Sequence, residues 1–197
     1  MINLVSTQLV CHDGPIPSGG LRRRGTCWGA VLGTGRPYVV VMVSTGDTAP
    51  TFTATYRGSD HETFDLGDHL GDGPVVLAFF PGAFTPPCSN EMVALQEHLG
   101  RIEDAGATLF GVSADSPFSQ GAFAEEHGLG FDLVSDMSGE TIEAYDLSID
   151  VPELGLYGAA NRAVFVLDGD GTVTYAWEAE EPANEPDYDA VLDAVES

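Results

Sequence analysis

The spacing of apolar positions changes period several times along the chain. Val75–Phe80 is an unbroken apolar run, the pattern of a strand buried on both faces. Met92, Leu95, Leu99 and Ile102 then recur at helical spacing, which predicts a helix from Pro87 to about Ala105 with one face turned to a core. Pro87 suits its first turn, where a missing N–H costs nothing. Ala107–Ser113 reads as the next strand. Asp115 or Ser116 can cap a following helix that has Pro117 in its first turn and Gly128 as its stop. Leu133–Val134 is a short strand, and Glu140–Tyr145 a helix. Arg162–Leu167 and Thr172–Trp177 form a hairpin over Asp168-Gly169-Asp170-Gly171, and Tyr188–Val195 closes as a helix. Upstream, Thr51–Thr55 and Glu62–Leu66 read as two short strands. Strands that alternate with helices and end in a hairpin predict a mixed α/β sheet.

Composition divides the chain. Its 197 residues suit one domain with a real core. The first 41 hold four of the seven arginines and a single acid, Asp13, for a charge of +3. From Met42 onward there are three arginines and 30 acids, or −27, and the two parts give the net −24. Residues 1–45 are therefore expected to be a disordered extension and residues 46–197 the folded domain. Arg22–Arg24 ahead of Gly29–Gly33 faintly suggests an export signal, but the apolar stretch is short, Arg36 follows it, and no cleavage site is evident. An early start codon, with translation beginning at Met42, is the better reading.

The charge also narrows the partners. There is no lysine, and an acidic surface of this size repels nucleic acid and anionic membrane. The apolar runs exclude disorder of the whole chain. The balance is that of proteins from extreme halophiles, where molar salt shortens screening to about 3 Å and self-repulsion becomes tolerable. Three scattered cysteines, Cys11, Cys27 and Cys88, make no disulfide framework, which points to a reducing cytoplasm. No apolar run approaches the roughly 20 residues of a membrane span.

Cys88 stands apart from the other two. It ends the segment Phe79-Phe80-Pro81-Gly82-Ala83-Phe84-Thr85-Pro86-Pro87-Cys88, after the buried strand and where the helix opens. A thiol there faces unpaired backbone N–H groups and the positive end of the helix dipole, which favour thiolate, the reactive form. The apolar stripe of the helix begins only at Met92, so Cys88 is expected at the loop–helix junction rather than in the core. Thr85, three residues upstream, is close enough to offer a hydroxyl to whatever the sulfur attacks.

Pro81, Thr85 and Cys88, spaced P-x-x-x-T-x-x-C, with Glu91 three residues on, resemble the active-site signature of the peroxiredoxins. Ala160-Asn161-Arg162-Ala163-Val164-Phe165-Val166-Leu167-Asp168 resembles the strand that carries that family's active-site arginine. The likeness runs from about Gly46 to the C-terminus and is greatest to the one-cysteine, alkyl hydroperoxide reductase E-like branch. It implies a thioredoxin-like fold, with a central mixed sheet flanked by helices. It implies a thiol peroxidase in which Cys88 attacks hydrogen peroxide or a small alkyl hydroperoxide and becomes a sulfenic acid. Arg162 would contact thiolate and peroxide, Thr85 would hydrogen-bond the peroxide, and Pro81 would shield the sulfur. Glu91 would orient Arg162 or, equally, complement a helix dipole. A homodimer is likewise implied.

Recycling departs from much of the family. No cysteine follows Cys88, Val93 stands where a related branch often has a resolving cysteine, and a C-terminal Val-Cys-Pro is missing. The expected reductant is an external thiol or a thioredoxin-like partner, unless Cys11 or Cys27 reaches the site. Competing signals fail. Asp168–Gly171 lacks a glutamate at the twelfth calcium-loop position, which is Ala179. The histidines have no zinc spacing, and the glycines near Gly29 lack a phosphate-loop lysine. No cofactor or metal is expected. The alternative reading is a redox sensor or reductase that relays Cys88 oxidation to a partner protein.

Overall fold

Val75–Phe79 (β3) and Thr108–Ser113 (β4) lie side by side and parallel at the centre of the fold, with every residue of β3 buried. The computed structural model describes residues 43–56 and 62–197. Within them, β4 pairs in parallel with Asp132–Ser135 (β5), while Ala163–Leu167 (β8, numbered in chain order) runs antiparallel on the other side of β3. Val173–Glu178 (β9) extends that edge, and Thr53–Tyr56 (β1) and Thr63–Asp65 (β2) extend the other. The sheet order is β2-β1-β5-β4-β3-β8-β9, a mixed sheet as the pattern predicts.

The continuous apolar run in β3 exists because both faces are covered. Val76, Ala78 and Phe80 point to one core and Val75, Leu77 and Phe79 to the other. The first core receives Met92, Leu95, Leu99 and Ile102 from Pro86–Asp104 (α1), Phe123 and Ala124 from Pro117–His127 (α2), and Val191, Leu192 and Val195 from Tyr188–Val195 (α4). The second packs Phe64, Leu66, Tyr145 and Leu147 with Ile142 of Glu140–Ala144 (α3). Gly111 in β4 faces α1. A Cβ there would lie 2.5 Å from Leu133 and 3.3 Å from the Met92 sulfur, so the missing side chain lets α1 sit close to the sheet.

Most predicted elements occur within a residue or two of their expected bounds. Ser116, not Asp115, caps α2, accepting the Ser119 N–H, and Gly128 ends that helix in the left-handed conformation. One unit has no counterpart in the sequence reading: Ser148–Val151 (β6) and Leu156–Ala160 (β7) pair in a separate two-stranded sheet. The expected extension, the export-signal and Met42-start readings, and Cys11 and Cys27 lie outside the described residues. The exceptions are Val43, Ser44 and Thr45, which lead into Gly46, whose N–H donates to Val173. No helix among the described residues is long and apolar enough to cross a membrane.

Candidate active site

Sheet register brings the two sequence segments together. Phe79, at the end of β3, pairs with Ala163, at the start of β8. Arg162 immediately precedes Ala163, so it emerges at the end of the sheet where β3 gives way to the loop before α1. Phe80 still donates its N–H to Val112, and buried Pro81, with no N–H to offer, ends the pairing. The loop then turns tightly: Phe84 adopts a left-handed conformation with φ 63°, uncommon for a bulky residue.

Thr85 is the residue before α1, yet its side chain does not cap the helix. Its hydroxyl donates to the Gly82 carbonyl at 3.0 Å instead. Pro86 and Pro87 follow and carry no N–H. The first backbone N–H of α1 is therefore that of Cys88, and the Ser89 N–H is already bonded to the Thr85 carbonyl. The amide that the positive end of this helix presents is thus Cys88's own.

Cys88 is 1% exposed and packs with Phe80 and Met92 in the core beneath α1. This corrects the expectation of a cysteine confined to the loop–helix junction. The core face of α1 begins one turn earlier than its Met92–Ile102 stripe suggests, because residues 88 and 92 share a helix face. One permanent cation is buried with the sulfur. Arg162, fully buried, donates from Nη2 to Cys88 Sγ at 3.5 Å and from Nη1 to Glu91 Oε2. Its Nε and Nη2 also donate to the Pro182 carbonyl, at 3.1 and 3.0 Å. A guanidinium suits such a site because its planar fork of donors addresses several acceptors at once.

Glu91 has no solvent exposure, and its Oε1 lacks a partner. Burial pushes its carboxyl up to about 8, opposed by the adjacent Arg162. The half-buried Tyr188 hydroxyl beside this cluster is also pushed upward, by burial and by Glu91 and Glu185. Asn161, quoted in the sequence segment but given no role there, accepts the Arg162 N–H through Oδ1 and donates through Nδ2 to Glu178 and Ala179. The Pro182 carbonyl, a backbone group, had no signal in the sequence.

Cys88, Arg162 and Glu91 are therefore in one contact group, with Thr85 and Pro81 in the loop that leads to it. A fixed cation and a helix N-terminal amide beside a sulfur can stabilise negative charge that develops when such a sulfur acts as a nucleophile. Among the described residues, no group of His, Cys, Asp and Glu is placed to hold a metal ion.

Comparison with known proteins gives the same direction. The sequence pattern of the AhpC/TSA family matches residues 45–176. A thiol peroxidase of Vibrio cholerae serotype O1 is 34% identical over 147 residues, 75% of this chain and 87% of that protein. Alkyl hydroperoxide reductase E of Mycobacterium bovis is 31% identical over 156 residues, 78% of this chain and 97% of that protein. The crystal structure of peroxidoxin BcpB from Mycobacterium tuberculosis superposes with a TM-score of 0.69 at 28% identity, covering 78% of this chain and 96% of that one. The mixed sheet with its flanking helices is thus a thioredoxin-like α/β fold, and the chain belongs to the AhpC/TSA family, the peroxiredoxins.

Proposed function

We propose that Cys88 is the group with which this chain, a thiol-dependent peroxidase, reduces hydrogen peroxide and small alkyl hydroperoxides. The observation that carries the assignment is the buried Arg162 guanidinium, aimed at the Cys88 sulfur over 3.5 Å. The thiolate attacks the terminal peroxide oxygen in line with the O–O bond. An S–O bond forms, the O–O bond breaks, and the leaving oxygen departs with the electron pair and takes a proton from water. Sulfur is oxidised to sulfenic acid and the peroxide is reduced to water or an alcohol. Arg162 and the Cys88 amide stabilise the charge moving along the O–O bond, and Thr85 turns its hydroxyl from Gly82 to the peroxide. Pro81 keeps bulk water from the sulfur, and Glu91 holds the guanidinium in place.

The sulfenic acid is then reduced from outside. One thiol displaces water to give a mixed disulfide, and a second thiol displaces Cys88 and leaves as the disulfide. A one-cysteine scheme is supported by the absence of any cysteine after Cys88 and by the match to alkyl hydroperoxide reductase E. The charge of −24 supports a salt-rich cytoplasm, and the family supports a homodimer. On this reading, residues 1–45 are dispensable for chemistry. Peroxide consumption by wild type, Cys88→Ser and Arg162→Ala, supplied with dithiothreitol or a thioredoxin, tests the proposal. Activity should vanish in the first variant and fall steeply in the second. Full activity in Cys88→Ser would refute it.

A further inference from the structure

The Phe80–Thr85 loop holds a left-handed Phe84, a strained conformation that persists only where neighbours impose it. Inside the loop the constraint is the Thr85 hydroxyl on the Gly82 carbonyl. The other constraint comes from 32 residues downstream. Asp115 Oδ2, just after β4, accepts the Ala83 N–H at 2.8 Å. That carboxylate oxygen is itself fixed. The fully buried Ser113 donates its hydroxyl to it at 2.9 Å. Ser113 in turn accepts from Gln120 Nε2 at 2.8 Å, and Gln120, also fully buried, donates to the Val134 carbonyl at 3.0 Å. The backbone of Asp115 is held too: its carbonyl accepts the Ser135 hydroxyl at 2.6 Å, and its N–H donates to Ser113 Oγ at 3.3 Å. One carboxylate thus ties the loop to β4, β5 and α2, the rigid parts of the fold. Capping α2 falls to Ser116, so the side chain of Asp115 is not occupied there.

We propose that Asp115 is a positioning residue for the peroxidase reaction: by anchoring Ala83 it fixes where Thr85 and the start of α1 stand relative to Cys88 and the incoming hydroperoxide. It touches neither sulfur nor substrate and acts through the Ala83 amide. The inference rests on Cys88 being the peroxide-reducing group. Its mechanism is geometric, since a reactive constellation loses rate steeply when a component is displaced by about 1 Å. Charge is not required. Asn at this position keeps an oxygen that can accept both the Ala83 N–H and the Ser113 hydroxyl, whereas Ala keeps neither.

The test compares two reactions of one sulfur in the full chain. Hydrogen peroxide oxidation needs the positioned loop, and alkylation by iodoacetamide needs only a reachable thiolate. Asp115→Ala should oxidise at least tenfold more slowly than wild type, while alkylation is unchanged or faster because the loop over a 1% exposed sulfur is looser. Asp115→Asn should restore oxidation to within about threefold of wild type. Ser113→Ala, which keeps the carboxylate but removes a hydroxyl that fixes it, should show the same divergence in smaller measure and serves if Asp115→Ala does not fold. Oxidation of Asp115→Ala and Ser113→Ala at the wild-type rate, or equal losses in both reactions, would overturn the inference. Wild type that fails to consume peroxide would instead overturn the peroxidase reading on which it rests.

Discussion

Arg162 Nη2 reaches the Cys88 sulfur at 3.5 Å across 74 positions of sequence, and both side chains are buried. The pairing follows from sheet register, which sets the residue before β8 beside the loop that leaves β3. A single cation divides its donors among a sulfur, a carboxylate and a backbone carbonyl. Changes to this cluster should therefore act on rate and on stability by separable routes.

Replacing Arg162 with Ala should lower the second-order rate of Cys88 oxidation about 10²–10³-fold, the usual cost of removing one preorganised donor from developing charge. Glu91 then keeps its burial and loses its partner, which should destabilise the fold by about 1–3 kcal/mol. Arg162→Lys should also be impaired, because an ammonium lacks the planar fork that addresses Cys88, Glu91 and Pro182 together. Stopped-flow oxidation and urea unfolding of the same samples measure the two effects.

Glu91 gives a pH dependence with a defined sign. Its carboxyl rises from an ordinary 4.5 to about 8 on folding, chiefly through burial. Between those values the folded state binds the proton and the unfolded state does not, so this group's contribution is full below pH 4.5 and is lost as pH rises through 8. Wild-type stability measured against Glu91→Gln should fall from pH 5 to pH 8.5. Parallel curves for the two proteins would show that Glu91 keeps an ordinary carboxylate titration.

Salt should speed the chemistry. From Met42 onward the chain carries thirty acids, whose field opposes negative charge on the sulfur, and mobile ions screen distant carboxylates more than they screen Arg162 at 3.5 Å. The rate of Cys88 oxidation should rise from dilute to molar sodium chloride, with folding followed in parallel by circular dichroism. A flat or falling rate in a protein that stays folded would contradict this.

Gly111→Ala separates packing from chemistry. The added methyl meets Leu133, the Met92 sulfur and Phe80 in a core that has no room for it, and should cost about 1–3 kcal/mol in urea unfolding. Hydrogen peroxide should still oxidise Cys88 in the folded variant.

The sequence was most legible where one physical signal dominated. The run Val75–Phe80 could only be a strand covered on both faces, and Pro117 with Gly128 bounded α2 closely. The β6–β7 hairpin was missed because Ser148–Ala160 combines short apolar stretches with Pro152, Gly155 and Gly158, so neither period is sustained. At the site, the place of Cys88 and Thr85 ahead of the helix and the resemblance to the peroxiredoxin signature, which brought in Pro81, Glu91 and Arg162, marked the residues. They could not reveal how deeply Cys88 is buried, since the Met92–Ile102 stripe alone does not show that the core continues one turn back. Nor could they reveal Asp115 as a tether: Asp-Ser-Pro is an equally good cap, and only the fold shows Ser116 capping while Asp115 faces Ala83.

The most direct test is to find where the oxygen goes. Reduced protein treated with one equivalent of hydrogen peroxide, trapped with dimedone and mapped by mass spectrometry, should carry the sulfenic acid adduct on Cys88 within seconds, and Arg162→Ala should form it far more slowly. An unmodified Cys88 under those conditions, or equal adduct formation in both proteins, would contradict the central claim that this buried sulfur and its guanidinium break the peroxide bond.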